Sequence, residues 1–367
     1  MPSVLSHEWL VPPAILAGGF FAAFILAIVF GLLVVWCGPV DAPRSRGVHN
    51  RPTPTSGGMA VIAATAIPLA VILWTWRTEI PGPGLDGLLL FGFAALMGLS
   101  GGIDDVFGLP ARARLLFQIA LCLIFALFYR VTSMSFGFGL SFEVWPPLGL
   151  LGSTAWLLLG INAINFMDGS NGLAVGAQSI ALIVIAGLAL AVAPAAPLVW
   201  YLGVPLIVWV CAAGAQLGFL PLNLPLGRVF QGDSGALFGG ALVTGACLQV
   251  KAYGVASVWL GGYLLAPLFV DVVLTLIVRA GRRQNLLQPH KEHLYQLWLQ
   301  HRDPSHGRLA LRVWALCALS SAAGVFARFY GNAIGVDLRF PALAAVVVIL
   351  CIGWVTLRGK ILRAANT

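Results

Sequence analysis

The sequence predicts an all-α, polytopic transmembrane helix bundle of about eleven spans, and three observations carry that expectation. Hydrophobic residues make up 59% of the 367 residues and charged residues only 9%, whereas soluble domains carry about 25% charged residues. So little charge cannot cover a water-facing surface, and the mean hydropathy of +0.93 agrees. The apolar residues also recur in runs of about 20, the length that carries a helix across the hydrocarbon core. Backbone exposed to lipid must satisfy its own hydrogen bonds, which favours a bundle of complete helices.

The runs fall at 11–36, 57–76, 87–103, 114–130, 148–165, 173–193, 197–219, 235–251, 257–279, 311–330 and 341–358. The first has no charge between Glu8 and Asp41 and no Lys or Arg before Arg44. It therefore reads as a first span rather than a cleaved leader. Pro68, Pro205 and Pro267 lie inside runs, where membrane helices tolerate proline. Of the 21 Lys and Arg residues, five (Arg77, Arg130, Lys251, Arg328 and Arg339) fall on one side of this arrangement and the rest on the other. Basic excess marks the cytoplasmic side, which puts the N-terminus outside and the C-terminus in the cytoplasm of a cell (inner) membrane. A single domain over 1–367 is expected, with cytoplasmic loops near 37–56, 104–113, 166–172, 220–234 and 280–310.

The net charge of +8 is spread between the apolar runs and forms no stripe on a soluble module. Orientation and anionic lipid account for it better than nucleic acid does. Cys37, Cys122, Cys211, Cys247, Cys317 and Cys351 include no CxxC pair and read as small apolar core residues.

Function is expected where polar residues gather at the cytoplasmic ends of the runs. Asp104, Asp105, Asp168 and Asp233 all lie there. Ionisable groups at membrane depth are costly, which makes them functional candidates. Four carboxylates on one face repel unless a cation or basic groups lie among them, and hard oxygen ligands suit Mg²⁺. The stretch from Arg44 to Gly58 is basic and rich in Pro and Gly; Arg46, His49 and Arg51 could grip phosphate, and Gly57-Gly58 could admit one close to the next helix. A plain positive-inside loop explains the same residues. Asp104-Asp105 could be a metal or general-base site or a pair of solvated carboxylates. Asn162 and Asn165 share a helix face with Asp168 at its mouth. Asp233 stands between Gly232 and Ser234 as a metal or phosphate ligand, or as an N-cap. In the polar segment 279–312, His290 and His293 are three apart, suiting a metal pair, a diphosphate contact or a solvated face. His7, His301 and His306 read as surface residues.

Together these five stretches resemble the polyprenyl-phosphate N-acetylhexosamine-1-phosphate transferases, which start bacterial cell-envelope glycan and eukaryotic N-glycan synthesis. The resemblance spans roughly residues 40–300. It rests on Pro52-Thr53-Pro54 with Gly57-Gly58, then Asp104-Asp105 with Leu109, Arg114-Leu115 and Gln118. Asn162, Asn165, Asp168 and Gly169 follow, then Phe230, Gly232, Asp233 and Gly235, and finally His293. Asn171 stands where many members have Asp, Tyr295 and Gln296 where many have histidines, and His290 where Asp is common. A muramyl-pentapeptide donor is therefore not expected, and the variant looks more like enzymes that begin O-antigen or capsule chains, some of which use deoxy-sugars such as UDP-N-acetylfucosamine or UDP-N-acetylquinovosamine.

The resemblance implies transfer of a sugar-1-phosphate from a UDP-sugar to undecaprenyl or another polyprenyl phosphate, with UMP leaving. It implies Mg²⁺ (or Mn²⁺) on Asp233 with Asp105 and Asp168, and Asp104 as a base or phosphate-positioning group. Asn162 and Asn165 would hold nucleotide or metal-bound water, and His290, Lys291 and His293 the diphosphate or sugar. Arg46, His49 and Arg51 would hold the acceptor phosphate. The lipid bilayer and a second copy in a homodimer complete the expected partners. The alternative is a polytopic secondary transporter, which would place ionisable groups near the midplane on repeated, broken helices.

Overall fold

In a computed structural model, residues 11–38, 40–41, 53–76, 84–192, 202–286, 288 and 290–365 are described. The membrane helices are α1 (Pro13–Cys37), α2 (Gly57–Thr75), α3 (Leu85–Phe107), α4 (Ala111–Tyr129), α5 (Pro146–Met167), α6 (Leu173–Val192), α7 (Gly203–Asn223), α8 (Gly232–Ala252), α9 (Leu260–Gly281), α11 (His306–Ile334) and α12 (Arg339–Ala365). Each is long and apolar enough to cross a membrane. The short α10 (Leu294–His301) lies between α9 and α11. The chain is thus an all-α, multi-pass membrane bundle.

Two small antiparallel pairs complete the fold. β1 (Val40–Asp41) meets β2 (Thr53–Pro54), and β3 (Ser133–Gly137) meets β4 (Leu140–Glu143) between α4 and α5. The second hairpin sits at the far end of the bundle. Its Phe136 packs edge-on against Trp259 and Phe340, at ring-centroid distances of 5.1 and 4.9 Å. Segments this short leave no mark in a search for apolar runs.

α8 is the axis of the bundle. It packs against α2, α3, α5 and α6, and nearly all of it is enclosed by protein, as is α7. Its sequence is correspondingly rich in Gly, Ala, Ser and Thr. Small residues let helix backbones approach in a medium where burying apolar surface drives nothing. The same rule joins α1 to α7: α1 buries Gly19, Ala23, Ala27 and Gly31, one residue per turn. A Cβ on Gly214 or Gly218 of α7 would run into the backbone carbonyls of Phe20 or Phe24.

The polar connections are tighter than the run lengths suggest. The expected loop 104–113 shrinks to 108–110, because α3 continues through Phe107. Gly108 ends it in a left-handed conformation (φ 62°), donating its N–H to the Asp104 carbonyl at 2.8 Å. Segment 280–310 contains α10, and 220–234 is occupied at both ends by α7 and α8. Pro205 falls in the first turn of α7, where a missing N–H has no partner to lose.

Gly218→Leu should lower the thermal stability of the detergent-purified protein by the cost of overpacking, about 1–3 kcal/mol. Gly187→Leu, at a position with open space around its missing Cβ, should leave the melting curve unchanged.

Candidate active site

The N-terminal turn of α8 is the meeting point of three other helices. Asp233 lies in that turn, and the residue at the N-cap is Gln231, so Asp233 does not cap the helix as the sequence allowed. Its carboxylate is held from outside instead. Oδ1 accepts from the side-chain amide of Asn165 in α5 at 2.9 Å, and Oδ2 accepts from Arg114 in α4 at 3.2 Å. The same Arg114 nitrogen donates to Asp104 at the end of α3. One guanidinium therefore joins carboxylates from two helices, in the charge-assisted geometry that favours arginine.

The neighbouring acids complete the group. Asp105 faces the start of α8, with its oxygens 3.4 Å from the backbone nitrogens of Asp233 and Ser234. Those amides have no intrahelical partner and carry the positive end of the helix dipole. Asp104 also accepts the Leu109 N–H at 2.7 Å. Asp168, just past α5, accepts from the side chain of Gln231 at 2.7 Å. Burial pushes its carboxyl well above the ordinary range, and the charges of Asp233 and Asp105 push it further, while the bond from Gln231 opposes the rise. Asn162 sits one turn deeper, donating to Gln118 of α4 at 2.9 Å.

Glycines allow this convergence. Gly232 has φ 65°, and a Cβ there would lie 2.6 Å from an Asp105 oxygen. A Cβ on Gly101 would lie 2.5 Å from the Asp233 backbone, and one on Gly58 would overlap the backbone of Gly235. The sequence left Gly57 and Gly58 open between admitting a phosphate and serving as turn residues, and the structure gives them a packing role. Their N–H groups donate to the carbonyls of Phe230 and Gln231 at 3.0 and 2.8 Å, so they lock α2 onto α8. Pro54 adds to this strap by accepting the Phe230 N–H at 2.8 Å. Arg46, His49 and Arg51 lie outside the described residues.

The two histidines lie at the start of α10. The His290 and His293 rings are 4.8 Å apart, and His293 stacks on Phe166 at 6.1 Å. Lys291 between them is half-buried. Tyr295 donates its hydroxyl to the Phe166 carbonyl at 3.0 Å, and Gly169 leaves room for that hydroxyl. Gln296 accepts the His293 N–H at 3.3 Å. Tyr295 and Gln296 are thus occupied in holding the segment together. Burial pushes the His290 ring down to about 4, with like charges at His293 and Arg279 adding to the effect. His290 is neutral near pH 7, and its Nδ1 accepts the Glu292 N–H at 3.4 Å, which leaves the hydrogen on Nε2.

Several contributors were not singled out from the sequence. Arg114 and Gln118 were seen only as parts of a pattern. Gln231 had no signal beyond its place before Gly232-Asp233. His306, expected at the surface, is half-buried with Nδ1 3.0 Å from the Ser170 hydroxyl, beside Asp168; α11 begins there and packs on α6. His301 is exposed, and His7 lies outside the described residues. Asp271, deep in α9, was overlooked although an acid within an apolar span is itself a signal.

As a donor set, the cluster offers hard carboxylate oxygens, with the side-chain amides of Asn165 and Gln231 turned to them as N–H donors. Among the described residues no three His, Cys, Asp or Glu side chains are placed to hold one ion together. Such a site fits an ion of the Mg²⁺ kind, which takes one or two carboxylates and completes its shell with phosphate oxygens and water.

The profile of glycosyl transferase family 4 matches residues 87–251, from α3 through most of α8. A decaprenyl-phosphate N-acetylglucosaminephosphotransferase of Mycobacterium leprae is 31% identical over 348 residues, covering 84% of this chain and 83% of that protein. A phospho-N-acetylmuramoyl-pentapeptide-transferase of Granulibacter bethesdensis is 30% identical, covering 78% of this chain and 82% of its own length. A probable undecaprenyl-phosphate N-acetylglucosaminyl 1-phosphate transferase of Bacillus subtilis is 27% identical, with 74% and 75% covered. The chain belongs to glycosyl transferase family 4, among its polyprenyl-phosphate N-acetylhexosamine-1-phosphate transferases, and is a membrane phosphotransferase.

Proposed function

We propose that the protein transfers an N-acetylhexosamine-1-phosphate from a UDP-sugar to undecaprenyl phosphate at the cytoplasmic face of the inner membrane, releasing UMP and starting a cell-envelope polysaccharide such as O-antigen. The observation that carries this reading is the gathering of Asp104, Asp105, Asp168 and Asp233 at one end of the bundle, with Arg114 joining Asp104 to Asp233 and His293 stacked on Phe166, two residues before Asp168. The bias of Lys and Arg supports the cytoplasmic assignment of that end. The family relationship does not favour a secondary transporter.

Both reactants are anionic. The chemistry needs them held in line while charge develops on the bridging oxygens. Asp233 with Asp105 or Asp168 would hold Mg²⁺ (or Mn²⁺), which when bound neutralises phosphate charge. Asp104 holds Arg114, and that cation is set to meet a phosphate oxygen near Asp233. The acceptor phosphate, with a second pKa near 6, is largely ionised at neutral pH, so positioning outweighs proton removal. Asn162 and Asn165 order the nucleotide side of the site. Lys291 supplies positive charge to the diphosphate, with neutral His290 as a hydrogen-bond donor through Nε2 and His293 acting on the transferred group. Arg46, His49 and Arg51 are assigned to the acceptor phosphate. The use of Tyr295 and Gln296 as structural residues supports a donor other than muramyl-pentapeptide, with N-acetylated deoxy-sugars among the options.

Purified protein given undecaprenyl phosphate, Mg²⁺ and a panel of UDP-sugars should form a lipid-diphosphate sugar by mass spectrometry from a UDP-N-acetylhexosamine. No lipid product from any donor would reject the reading. Asp233→Ala should insert normally, yet lose turnover on the order of hundredfold or more; wild-type turnover at saturating Mg²⁺ would remove Asp233 from the ion site. His290→Gln should weaken donor binding and leave the shape of the rate profile between about pH 5 and 8 unchanged, because the neutral ring does not titrate there. A lost acid limb in that variant would contradict the neutral assignment.

A further inference from the structure

Asp271 is a carboxylate inside an apolar span, and it is 5% exposed. Such groups are costly unless fully partnered, and the partners of Asp271 converge on the segment that carries His293. Oδ1 accepts the backbone N–H of Leu294 at 2.7 Å and the indole N–H of Trp354 in α12 at 2.9 Å; Oδ2 accepts the backbone N–H of Tyr295 at 3.2 Å. The Thr275 hydroxyl, one turn along α9, donates at 3.2 Å. His293 Nδ1 lies 3.8 Å from Oδ1, too far for a hydrogen bond but close for an electrostatic contact in a buried place.

Leu294 and Tyr295 open α10, and the first N–H groups of a helix have no intrahelical partner. A side chain just before the helix ordinarily satisfies them. Here the acceptor for Leu294 and Tyr295 comes from a different membrane helix, while the N-cap residue His293 forms a capping box with Gln296. The other side of the segment is pinned as well. Glu292 pairs with Arg279 of α9 at 2.6 Å, and its carbonyl accepts Arg358 of α12 at 2.5 Å. The segment is therefore docked onto α9 and α12, with its His293 ring turned against Phe166.

We infer that Asp271 is the positioning residue for His293: it caps α10 from within α9 and fixes the backbone at 293–295, so that the imidazole is held in place against Phe166. This rests on the reading of His293 as a residue that acts on the transferred group. Asp271 touches no substrate in this scheme and works through the imidazole.

The test uses full-length protein in detergent, with Asp271→Asn, which preserves shape and removes the charge. The expected result is a fall in kcat of at least about tenfold, with donor KM within about threefold of wild type. The ¹⁵N-histidine spectrum should show a shift of the ring-nitrogen signal of His293, assigned by its disappearance in His293→Gln. In the His293→Gln background, Asp271→Asn should cost less than about twofold more, since the two act as one unit. Trp354→Phe, which removes one donor to Asp271 and spares the carboxylate, should give a smaller kcat loss and a partial shift of the same signal, and it decides the matter if Asp271→Asn fails to fold. An unchanged histidine spectrum, or the full tenfold loss recurring without His293, would overturn the proposal. A His293→Gln protein with wild-type kcat would instead remove His293 from the reaction, while the spectrum would still report whether Asp271 orients the ring.

Discussion

The structure depends on holding like charges together at the end of α8. Asp104, Asp105, Asp168 and Asp233 come from three separate parts of the chain, and their mutual repulsion opposes any fold that brings them close. Arg114 offsets part of it by reaching Asp104 and Asp233 at once. The rest is met by neutral donors: Asn165 to Asp233, Gln231 to Asp168, and the first amides of α8 facing Asp105. Removing one donor would leave a partly buried acceptor unsatisfied, which costs more than the bond itself contributes.

That convergence dictates packing well beyond the site. Carboxylates on short side chains reach one another only if the helices bearing them nearly touch, and the contact residues are accordingly glycines. Gly101 and Gly58 set α3 and α2 against the start of α8, and Gly232 gives the loop before it the positive φ it needs. The axial position of α8 follows. A helix enclosed by neighbours on every side has no lipid to satisfy and can be built from small and hydroxyl-bearing residues. Helices at the rim such as α1 and α12 carry the apolar bulk.

The two edges of the site are built by different means. The carboxylate edge is held by polar bonds between helix ends. The imidazole edge is a short segment clamped onto α9 and α12 through Asp271, Trp354, Glu292 and Arg358. Tyr295 links the two by reaching the Phe166 carbonyl beside Asp168. Phe166 therefore joins the two parts, carrying the His293 ring on its face and the Tyr295 hydroxyl on its carbonyl.

Composition and the periodic runs determined the all-α membrane bundle and its eleven spans, because lipid leaves a chain few other ways to satisfy its backbone. The order of Asp104-Asp105, Asn165, Asp168, Asp233 and His293 was legible as a set, since polar residues at the ends of apolar runs stand out against their surroundings. Tertiary structure decided which of them touch and what else joins them. Arg114 was part of a motif without an assigned partner, and Gln231 had no signal of its own, until packing set α4 and the end of α5 against the start of α8. Gly57 and Gly58 could be read as a phosphate approach or as turn residues until their amides found the carbonyls of Phe230 and Gln231. His306 looked like a surface residue until α11 packed on α6. These outcomes turn on distances between segments far apart in the chain, which no local pattern encodes.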